Sequence, residues 1–434
     1  MPKSVNKQAV LLLLSERYYL PLFLTQFFGA FNDNAFKLAI LTLISYQLSY
    51  SQQQSEFYQA LAGGIFTVPF FIFSATAGQL ADKYNKSIMI RWIKLWEVLL
   101  MILGGFGLYY RNIGLMMTIL AGMGVHSTFF GPIKYSILPE HVPQKRLLGA
   151  TALIEASTFI AILTGTVMGS LSVGSKQVWM AILLTNGIAW AGFCSCWFIP
   201  SSPMSNPDLS IDWNLPRATW LMLKQIFNNR PVVPVILAIS WFWLIGVVML
   251  IKLPDYTHYV LKADQQVFAV FLALFSIGIA LGALSISRLQ RGTITLEYVA
   301  LIMLLVSIFA FDLYQVSSDI ETGNGLSNLK MFLSKFNHWR IMFDFFSFSF
   351  AGGMFVVPLY TYLQVHGLAG EKSRTIAANN IVNAIFMVFG SLLVMLLLKL
   401  DLSISGVFLT LAVLNCIAAI AFGWAFYTQS RIVK

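Results

Sequence analysis

Long apolar runs separated by short polar segments make up nearly the whole chain. Each run holds about 20 residues, the length at which an α-helix crosses a hydrocarbon core of roughly 30 Å. The pattern therefore predicts about twelve membrane-spanning helices. The predicted spans are residues 18–45, 57–80, 88–109, 113–138, 147–172, 177–199, 233–255, 266–288, 294–313, 339–365, 374–399 and 403–427.

The distribution of Lys and Arg predicts which side of the membrane each connection faces. With both termini in the cytoplasm, 19 of the 28 basic residues fall on the inner side and 8 on the outer side, while Lys37 lies within the first span. Cytoplasmic loops carry an excess of basic residues in membrane proteins, so the bias predicts an N-in/C-in topology. We attribute much of the net charge of +10 to this orientation and to contact with anionic membrane lipids, not to nucleic acid.

The two halves of the sequence resemble each other. Residues 146–156, RLLGATALIEA, align with residues 374–384, RTIAANNIVNA, which sets Glu155 over Asn383. In the preceding spans, FFGPIKY matches FVVPLYT in spacing at nearly the same offset. Duplicated six-helix halves are typical of transporters whose substrate passes between them near the membrane midplane.

The predicted fold is an all-α membrane protein of two pseudo-symmetric six-helix bundles. Its predicted divisions are a cytoplasmic lead-in (1–17), an N-terminal bundle (18–199), a central cytoplasmic loop (200–232), a C-terminal bundle (233–427) and a cytoplasmic tail (428–434). The composition agrees, since 58% of the residues are hydrophobic and 11% charged, against about 25% charged in soluble proteins. The three cysteines lie within apolar runs, where neither a disulfide framework nor a metal site is easily built, and the sequence predicts no cofactor and no metal.

A polar segment interrupts the first span. Asn32, Asp33, Asn34 and Lys37 lie within GAFNDNAFKLAIL. An Asp or Lys at the centre of a membrane helix costs about 2.5–3.5 kcal/mol unless it faces protein or water. Asp33 and Lys37 are spaced to pair with each other on one helical face. That pair alone leaves the asparagines unexplained, so at least one polar side chain is expected to face a cavity or another helix.

Helix heights arrange the charged residues of the spans in two layers. At 1.5 Å per residue, Asp33, Lys37 and Lys252 fall in the outer half of the membrane, whereas Lys134 and Glu155 fall in the inner half. The inner two residues could form a structural salt bridge between adjacent helices or contact substrate. Lys252 could line a cavity or extend to the outer surface.

Three further ionisable groups have simpler interpretations. Asp344 follows Arg340 by four residues at an outer helix end, which is typical of a surface ion pair. Glu97 follows Lys94 by three residues, and we interpret it in the same way on the inner side. His126 has no acidic or histidine neighbour in its helix, so a packing role is expected.

The segment GQLADKYNKS, which begins at Gly78, resembles the signature between helices two and three of the major facilitator superfamily. The residues Gly78, Asp82, Lys83 and Lys86 match that signature. The resemblance implies that Asp82 engages the start of helix eleven and nearby cations as a conformational latch, as a carboxylate at a helix N-terminus would. The equivalent position in the second half is Ile286, so no second latch is expected there.

Longer motifs resemble one branch of that superfamily. FFGAFNDNAFK, FGPIKYSILPE and GATALIEASTFIAILTGTVMG are similar to the bacterial lysophospholipid transporter (LplT) family, and the FNDN-x-FK form is closest to members fused to an acyltransferase. The likeness is strong over residues 20–170 and weak beyond. Because this chain ends at Lys434 without such a domain, an acyltransferase or acyl-carrier-protein synthetase partner is expected to be a separate protein.

The resemblance implies a function and a set of residues. Members of the family move lysophosphatidylethanolamine and lysophosphatidylglycerol from the outer to the inner leaflet of the bacterial inner membrane for reacylation, by a facilitated flip without a proton gradient. By motif, Asp33, Asn34, Lys134 and Glu155 would belong to the polar substrate path, whereas Lys252 rests on its predicted height alone. A monomer is expected.

Other functions are compatible with parts of the sequence. A proton-coupled exporter of drugs, siderophores or another amphiphile would use Asp33 or Glu155 as its proton carrier. A membrane enzyme would need a nucleophile and a base, but the five histidines form no His-x-x-x-x-Asp or Ser/His grouping, so no enzymatic activity is expected. A non-transporting receptor on the same fold would show no substrate flux.

Overall fold

A computed structural model describes residues 10–174, 177–318, 326–368 and 370–433. Within these ranges, twelve helices of at least 18 residues follow the predicted spans, which confirms the all-α fold. They are α1 (Leu20–Leu43), α2 (Gln52–Lys83), α3 (Lys86–Tyr109), α4 (Ile113–Ser136), α6 (Gln144–Leu171), α7 (Trp179–Cys196), α9 (Val233–Asp255), α10 (Gln265–Leu289), α11 (Val299–Ser318), α13 (Phe336–His366), α14 (Lys372–Lys399) and α15 (Ile404–Val433). In the described part of the chain, ten helices are long and apolar enough to cross a membrane.

Most helix ends lie within a few residues of the predicted bounds, and local capping explains one of the differences. Helix α2 begins five residues before its predicted span because the Ser51 side chain accepts a hydrogen bond from the Gln54 amide. Helix α11 begins at Val299, five residues late. Arg291 and Gly292 of the preceding connection have positive φ, and residues 293–298 are turn or irregular backbone, so the helix does not begin until Val299.

Among the described residues, three short α-helices lie in the connections: α5 (Leu138–His141), α8 (Leu215–Phe227) and α12 (Leu329–Leu333). Helix α8 occupies the central loop and packs against α2. Its buried residues, Ala218, Met222 and Ile226, recur every four positions and therefore share one face. This apolar face explains why part of the central loop forms a helix beside α2.

The helices group into two compact units. The N-terminal unit contains Met1–Asn229 and Leu363–Ile381, and the C-terminal unit contains Arg230–Tyr362 and Val382–Lys434. The N-terminal unit therefore includes the last residues of α13 and the first residues of α14. The predicted bundle bounds and the N-in/C-in orientation remain predictions, and residues 1–9 of the lead-in lie outside the described ranges.

Each unit is held together by its own helix pairs. In the N-terminal unit α1 packs against α6 and α7, and α2 packs against α4. A Cβ atom at Gly169 of α6 would collide with the backbone of Ala35 in α1, so this glycine permits the two helices to touch. In the C-terminal unit α11 packs against α15. The polar segment of α1 is consequently enclosed on several sides by neighbouring helices.

Candidate functional site

The buried side of the polar segment contacts a salt bridge inside the N-terminal unit. The Asn32 amide nitrogen donates to Glu97 Oε1 over 2.9 Å, and Lys94 Nζ donates to Glu97 Oε2 over 2.6 Å. All three residues are 0% exposed. The interpretation of Lys94 and Glu97 as a surface pair is therefore wrong. Lys94 and Glu97 do pair at their i,i+3 spacing. The face of α3 on which they lie, however, is buried against α1.

His126 connects this buried pair to Asp33. Its Nε2 lies 3.2 Å from Glu97 Oε2, and its Nδ1 lies 3.9 Å from Asp33 Oδ1. The ring stacks on Phe130 with an interplanar angle of 5°. His126 therefore does more than fill space, because its two nitrogens lie between two carboxylates. The sequence spacing within α4 gave no sign of this, since both acidic partners come from other helices.

Asp33 lies at the accessible edge of these contacts. Its Oδ2 accepts a hydrogen bond of 2.5 Å from Ser127, and its side chain is 15% exposed. The ammonium of Lys37 lies 5.6 Å from the centroid of the Phe66 ring. Among the described residues, Lys37 and Asp33 form no ion pair within 4.0 Å, although they interact electrostatically. The simple local pairing of the two residues is therefore not what the structure shows.

Asn34 is accounted for within its own helix. Its amide nitrogen donates to the Ala30 carbonyl oxygen over 2.8 Å, and the residue is half-buried. Asn32 and Asn34 thus have different surroundings from Asp33, although all three are consecutive. Asn32 is inaccessible in this structure, whereas Asn34 and Asp33 are partly accessible.

Lys134 and Glu155 both lie beside Tyr135, and among the described residues they form no ion pair within 4.0 Å. The Tyr135 hydroxyl donates to Glu155, and the Lys134 ammonium lies 4.6 Å from the centroid of the Tyr135 ring. Lys134 interacts electrostatically with both Glu155 and Asp33. The two predicted layers of charged residues stay a prediction.

We define the ionic cluster as three lysines, three carboxylates and one histidine of the N-terminal unit. Its members are Lys37, Lys94, Lys134, Asp33, Glu97, Glu155 and His126. Their formal charges balance when the histidine is neutral. Lys94, Glu97, Glu155 and His126 are buried, whereas Lys37, Lys134 and Asp33 are half-buried. The cluster thus has a fixed buried part and an accessible part with two cations and one anion.

Lys252 belongs to the C-terminal unit and has a partner in its own chain segment. Its Nζ lies 2.6 Å from Asp255 Oδ2, and the residue is 5% exposed. Its side chain is therefore largely enclosed, whereas its partner Asp255 is 42% exposed. Its predicted place in the substrate path remains a prediction, because the pair with Asp255 already accounts for its charge.

Asp82 contacts the first turn of α14. Its two carboxylate oxygens accept hydrogen bonds from the backbone amides of Ser373, at 2.9 Å, and Arg374, at 3.2 Å. The Arg374 side chain adds an Nε contact of 3.1 Å. A Cβ atom at Gly78 would lie 2.9 Å from Ala377 Cβ, so only glycine allows this approach. The carboxylate thus neutralises the positive end of the α14 dipole.

The two lysines of the motif have different environments. Lys86 is 0% exposed and contacts Glu140 Oε1 at 2.5 Å and Ser205 Oγ at 2.8 Å. Lys83 is half-buried, with its ammonium 5.8 Å from the centroid of the Tyr84 ring. Lys86 therefore ties the loop after α2 to the loop after α4, whereas Lys83 lies beside an aromatic ring.

The predicted surface pair of Arg340 with Asp344 is wrong. Arg340 instead pairs with Asp312 of α11. Asp344 is 2% exposed and contacts the Asp312 side chain. Helical spacing alone suggested the neighbour in the same helix, but the guanidinium turns to the acid of the adjacent helix.

The aligned residues of the two halves make comparable contacts. Glu155 of α6 accepts from Tyr135 of α4, and Asn383 of α14 lies 3.5 Å from the hydroxyl of Tyr360 in α13. Asn383 also accepts a hydrogen bond from Ser240 over 2.8 Å. In each unit a tyrosine hydroxyl therefore contacts the aligned residue. That residue is a carboxylate in the first half and an amide in the second half. At this aligned position the N-terminal unit has the charged residue, Glu155, and the C-terminal unit has a neutral one.

The described residues form twelve long helices with a carboxylate at the start of α14 and buried ionic groups, as expected of a multi-pass membrane protein. The sequence model of the Major Facilitator Superfamily matches residues 22–320, and the chain belongs to that family. This result confirms the superfamily that the GQLADKYNKS motif indicated.

Two curated relatives share most of their length with this chain. The "Lysophospholipid transporter LplT" of Serratia proteamaculans is 27% identical over 366 residues, which cover 82% of this chain and 81% of the relative. The protein of the same name from Cronobacter sakazakii is 26% identical over 408 residues, which cover 91% and 92%. Fusion to an acyltransferase is not shown by these relatives.

The fold of this chain is similar to that of solved transporter structures. The crystal structure of a bacterial homologue of the iron transporter ferroportin in an outward-facing state has a TM-score of 0.69 and covers 96% of this chain and 100% of its own. Its sequence identity is 13%, so the likeness concerns the fold alone.

Proposed function

We propose that the protein transports lysophospholipids, moving them from the outer to the inner leaflet of a bacterial inner membrane by alternating access. Relatives named for this activity match over 79–92% of their own length, and the segments that carry Asp33 and Lys134 resemble that family in sequence. In the inner leaflet the product would be available for reacylation. A separate acyltransferase or acyl-carrier-protein synthetase would perform that step, and the transporter would act as a monomer among anionic lipids.

The accessible part of the ionic cluster carries this proposal. Lys134, Lys37 and Asp33 are half-buried, while Lys94 and Glu97 behind them are fully enclosed. A lysophospholipid presents a phosphodiester anion and, with ethanolamine, an ammonium cation. Lys134 is suited to bind the phosphodiester through charge-assisted hydrogen bonds, and Asp33 is suited to bind the ammonium.

The buried part of the cluster has a supporting role in this mechanism. Asn32 and His126 contact the Lys94–Glu97 pair and fix the helix that carries Asp33. Because these groups are already paired, Asp33 does not need to reorganise when a headgroup arrives. We therefore assign Asn32 a structural role instead of the substrate contact expected from sequence.

Asp82 would act as the conformational latch. Its hydrogen bonds hold residues 363–381 within the N-terminal unit. Release of the first turn of α14 from Asp82 would accompany the change of access from one side of the membrane to the other. Gly78 permits the contact sterically, Lys86 fixes the adjoining loop, and Lys83 would supply a nearby cation.

Reconstituted vesicles test the proposal directly. Uptake of labelled lysophosphatidylethanolamine and lysophosphatidylglycerol would be compared between protein-containing and protein-free vesicles, with leaflet assignment by back-extraction with albumin. Saturable transfer to the inner leaflet without an imposed proton gradient supports the function. Transfer equal to that in protein-free vesicles overturns it.

A proton-coupled exporter is the second candidate, and the placement of His126 favours it. A titratable ring between Glu97 and Asp33 provides a route for a proton from an accessible carboxylate to a buried one. Such a transporter would stop when an uncoupler collapses the proton gradient in intact vesicles. Facilitated lysophospholipid transfer would continue under the same treatment.

A further inference from the structure

Helix α8 of the central loop has a second apolar face besides the one that packs against α2. We call it the aromatic face, and its members are Pro216, Trp220, Leu223 and Phe227. Their spacing of four, three and four residues keeps the side chains on one side of the helix. Trp220 is 68% exposed and Phe227 is 44% exposed. The aromatic face lies about 130° around the helix axis from the buried face, so contact with α2 does not cover it.

Two basic residues border the aromatic face. Arg217 and Lys224 are seven residues apart, so they follow each other along one side of α8. Both are exposed, and the Arg217 side chain, whose Nε lies 3.6 Å from Asp212 Oδ2, is 70% exposed. A helix with aromatic and leucine side chains on one face and cations beside it is typical of segments that lie in the membrane–water interface.

Hydrogen bonds hold α8 at the ends of two helices that are long and apolar enough to cross a membrane. The backbone amide of Asp212, just before α8, donates to the Gln79 side chain over 2.8 Å, and Gln79 lies about one turn before the end of α2. Near the other end of α8, Gln225 Nε2 donates to Glu371 Oε2 over 2.7 Å, and Glu371 directly precedes α14. Both α2 and α14 are candidate membrane spans. Helix α8 therefore lies at the level where these spans reach the membrane surface.

Other exposed aromatic residues lie at the same end of the N-terminal unit. Tyr84 directly follows α2, Trp197 directly follows α7, and Trp213 precedes α8. Asn85 donates a hydrogen bond of 2.9 Å to Ser201, which joins the chain after α2 to the chain after α7. Trp and Tyr are enriched where membrane proteins cross the membrane–water interface. The aromatic face of α8 thus continues a band of residues that are suited to lipid headgroups.

We propose that the aromatic face of α8 enters the membrane–water interface and that Arg217 and Lys224 bind anionic phospholipid headgroups there. The inference goes beyond the transport of any substrate, because it concerns the bilayer that surrounds the protein. Each cation near an anionic membrane surface contributes about a fivefold gain in binding. The positive border of an apolar face complements the negative headgroups above a hydrocarbon layer.

Fluorescence quenching by lipids tests whether the aromatic face is inserted. In a full-length background with Cys194, Cys196 and Cys416 replaced by serine, Phe227→Cys or Asn228→Cys would be labelled with a nitrobenzoxadiazole dye. Asn228 is the matched control, because it is also exposed and points about 100° away around the helix axis. The vesicles would contain equal parts of phosphatidylcholine and phosphatidylglycerol, with a trace of lipid that carries a quencher near the headgroup. We expect quenching of the Phe227→Cys label to exceed that of the Asn228→Cys label at least about threefold.

Removal of the two cations tests the recognition of anionic lipid. With the label at Phe227→Cys, the ratio of inserted to free α8 would be obtained from the two fluorescence lifetimes. Arg217→Gln together with Lys224→Gln should lower this ratio about 25-fold in the mixed vesicles. The pair Lys330→Gln with Lys335→Gln removes the same charge from exposed sites of the C-terminal unit and should leave the ratio unchanged.

Three results would overturn the proposal. Equal quenching of the two labels would show that the aromatic face does not enter the bilayer. An inserted fraction that is the same in pure phosphatidylcholine and in the doubly substituted protein would exclude recognition of anionic lipid. Shielding of the Phe227→Cys label that increases with the ratio of protein to lipid would assign the face to a second copy of the chain. None of these measurements requires transport, so they leave the proposed function to its own test.

Discussion

Asn32 donates a hydrogen bond to Glu97 over 2.9 Å, and neither residue is exposed. This contact divides the polar segment of the first helix into two functional parts. Asn32 faces inward and fixes α1 against α3, while the next residue, Asp33, reaches the accessible edge of the N-terminal unit. A segment that looks uniformly polar in sequence therefore combines a structural residue with a candidate substrate residue.

Removal of Glu97 should strongly destabilise the protein. Glu97→Ala leaves the Lys94 ammonium buried without its carboxylate, and breaking a buried pair in this way costs about 3–5 kcal/mol. The thermal unfolding midpoint of the detergent-solubilised protein measures the effect. Glu56→Ala, at an exposed glutamate of α2, is the matched control and should stay within about 0.5 kcal/mol of the wild type.

The double variant Lys94→Met with Glu97→Leu separates charge from packing. Replacing both charges by apolar groups of similar volume leaves no uncompensated ion, so the midpoint should recover most of the loss. A double variant as unstable as Glu97→Ala would show that the ionic contact itself is required.

Asp82→Asn should loosen residues 363–381. The variant loses the carboxylate charge that accepts from the Ser373 and Arg374 amides, and charged hydrogen bonds of this kind contribute about 1.5–3 kcal/mol. A cysteine introduced at the buried Ser136, whose hydroxyl contacts Ser373, should react with maleimide at least about tenfold faster. Asp208→Asn, on the exposed central loop, is the control. Unchanged labelling in Asp82→Asn would contradict a latch.

The helices and the motif contact were predictable because they depend on local or repeated signals. Apolar length predicts a span, and the resemblance of GQLADKYNKS to the superfamily signature implied that Asp82 contacts the start of a later helix. The ionic partners were less predictable. Arg340 pairs with Asp312 of another helix, although Asp344 is nearer in sequence. Glu97 contacts residues of three helices. Such pairings depend on which helix faces meet. The spacing of residues along a single helix does not specify this.

The apolar residues on both sides of Lys94 and Glu97 were a sequence feature that would have predicted burial of this pair. Ile93 and Val98 flank Lys94 and Glu97, and all four are buried. A charged pair set within a continuous apolar run is more compatible with an enclosed site than with a solvated helix end. His126 gave no comparable signal, since both its carboxylate partners belong to other helices.

Lys134→Gln should lower transport, because it removes the cation assigned to the phosphodiester. Loss of one charge-assisted hydrogen bond corresponds to at least about a tenfold decrease in kcat/KM for lysophosphatidylglycerol. Lys134→Arg keeps the charge and should retain more activity. Initial uptake rates in vesicles with matched protein content measure both variants.

A structural role for Lys134 gives a different result. If the lysine only balances Glu155, the double variant Lys134→Gln with Glu155→Gln restores charge balance and should regain transport. If Lys134 binds the headgroup, the double variant stays as slow as Lys134→Gln alone.

The most direct test of substrate binding by the accessible part of the ionic cluster is lysophosphatidylethanolamine uptake by Asp33→Asn. The amide keeps the size of the side chain and removes the charge that is assigned to the ethanolamine ammonium. We predict that Asp33→Asn, present at wild-type abundance, lowers kcat/KM at least about tenfold. Uptake equal to that of the wild type at the same abundance would contradict the account.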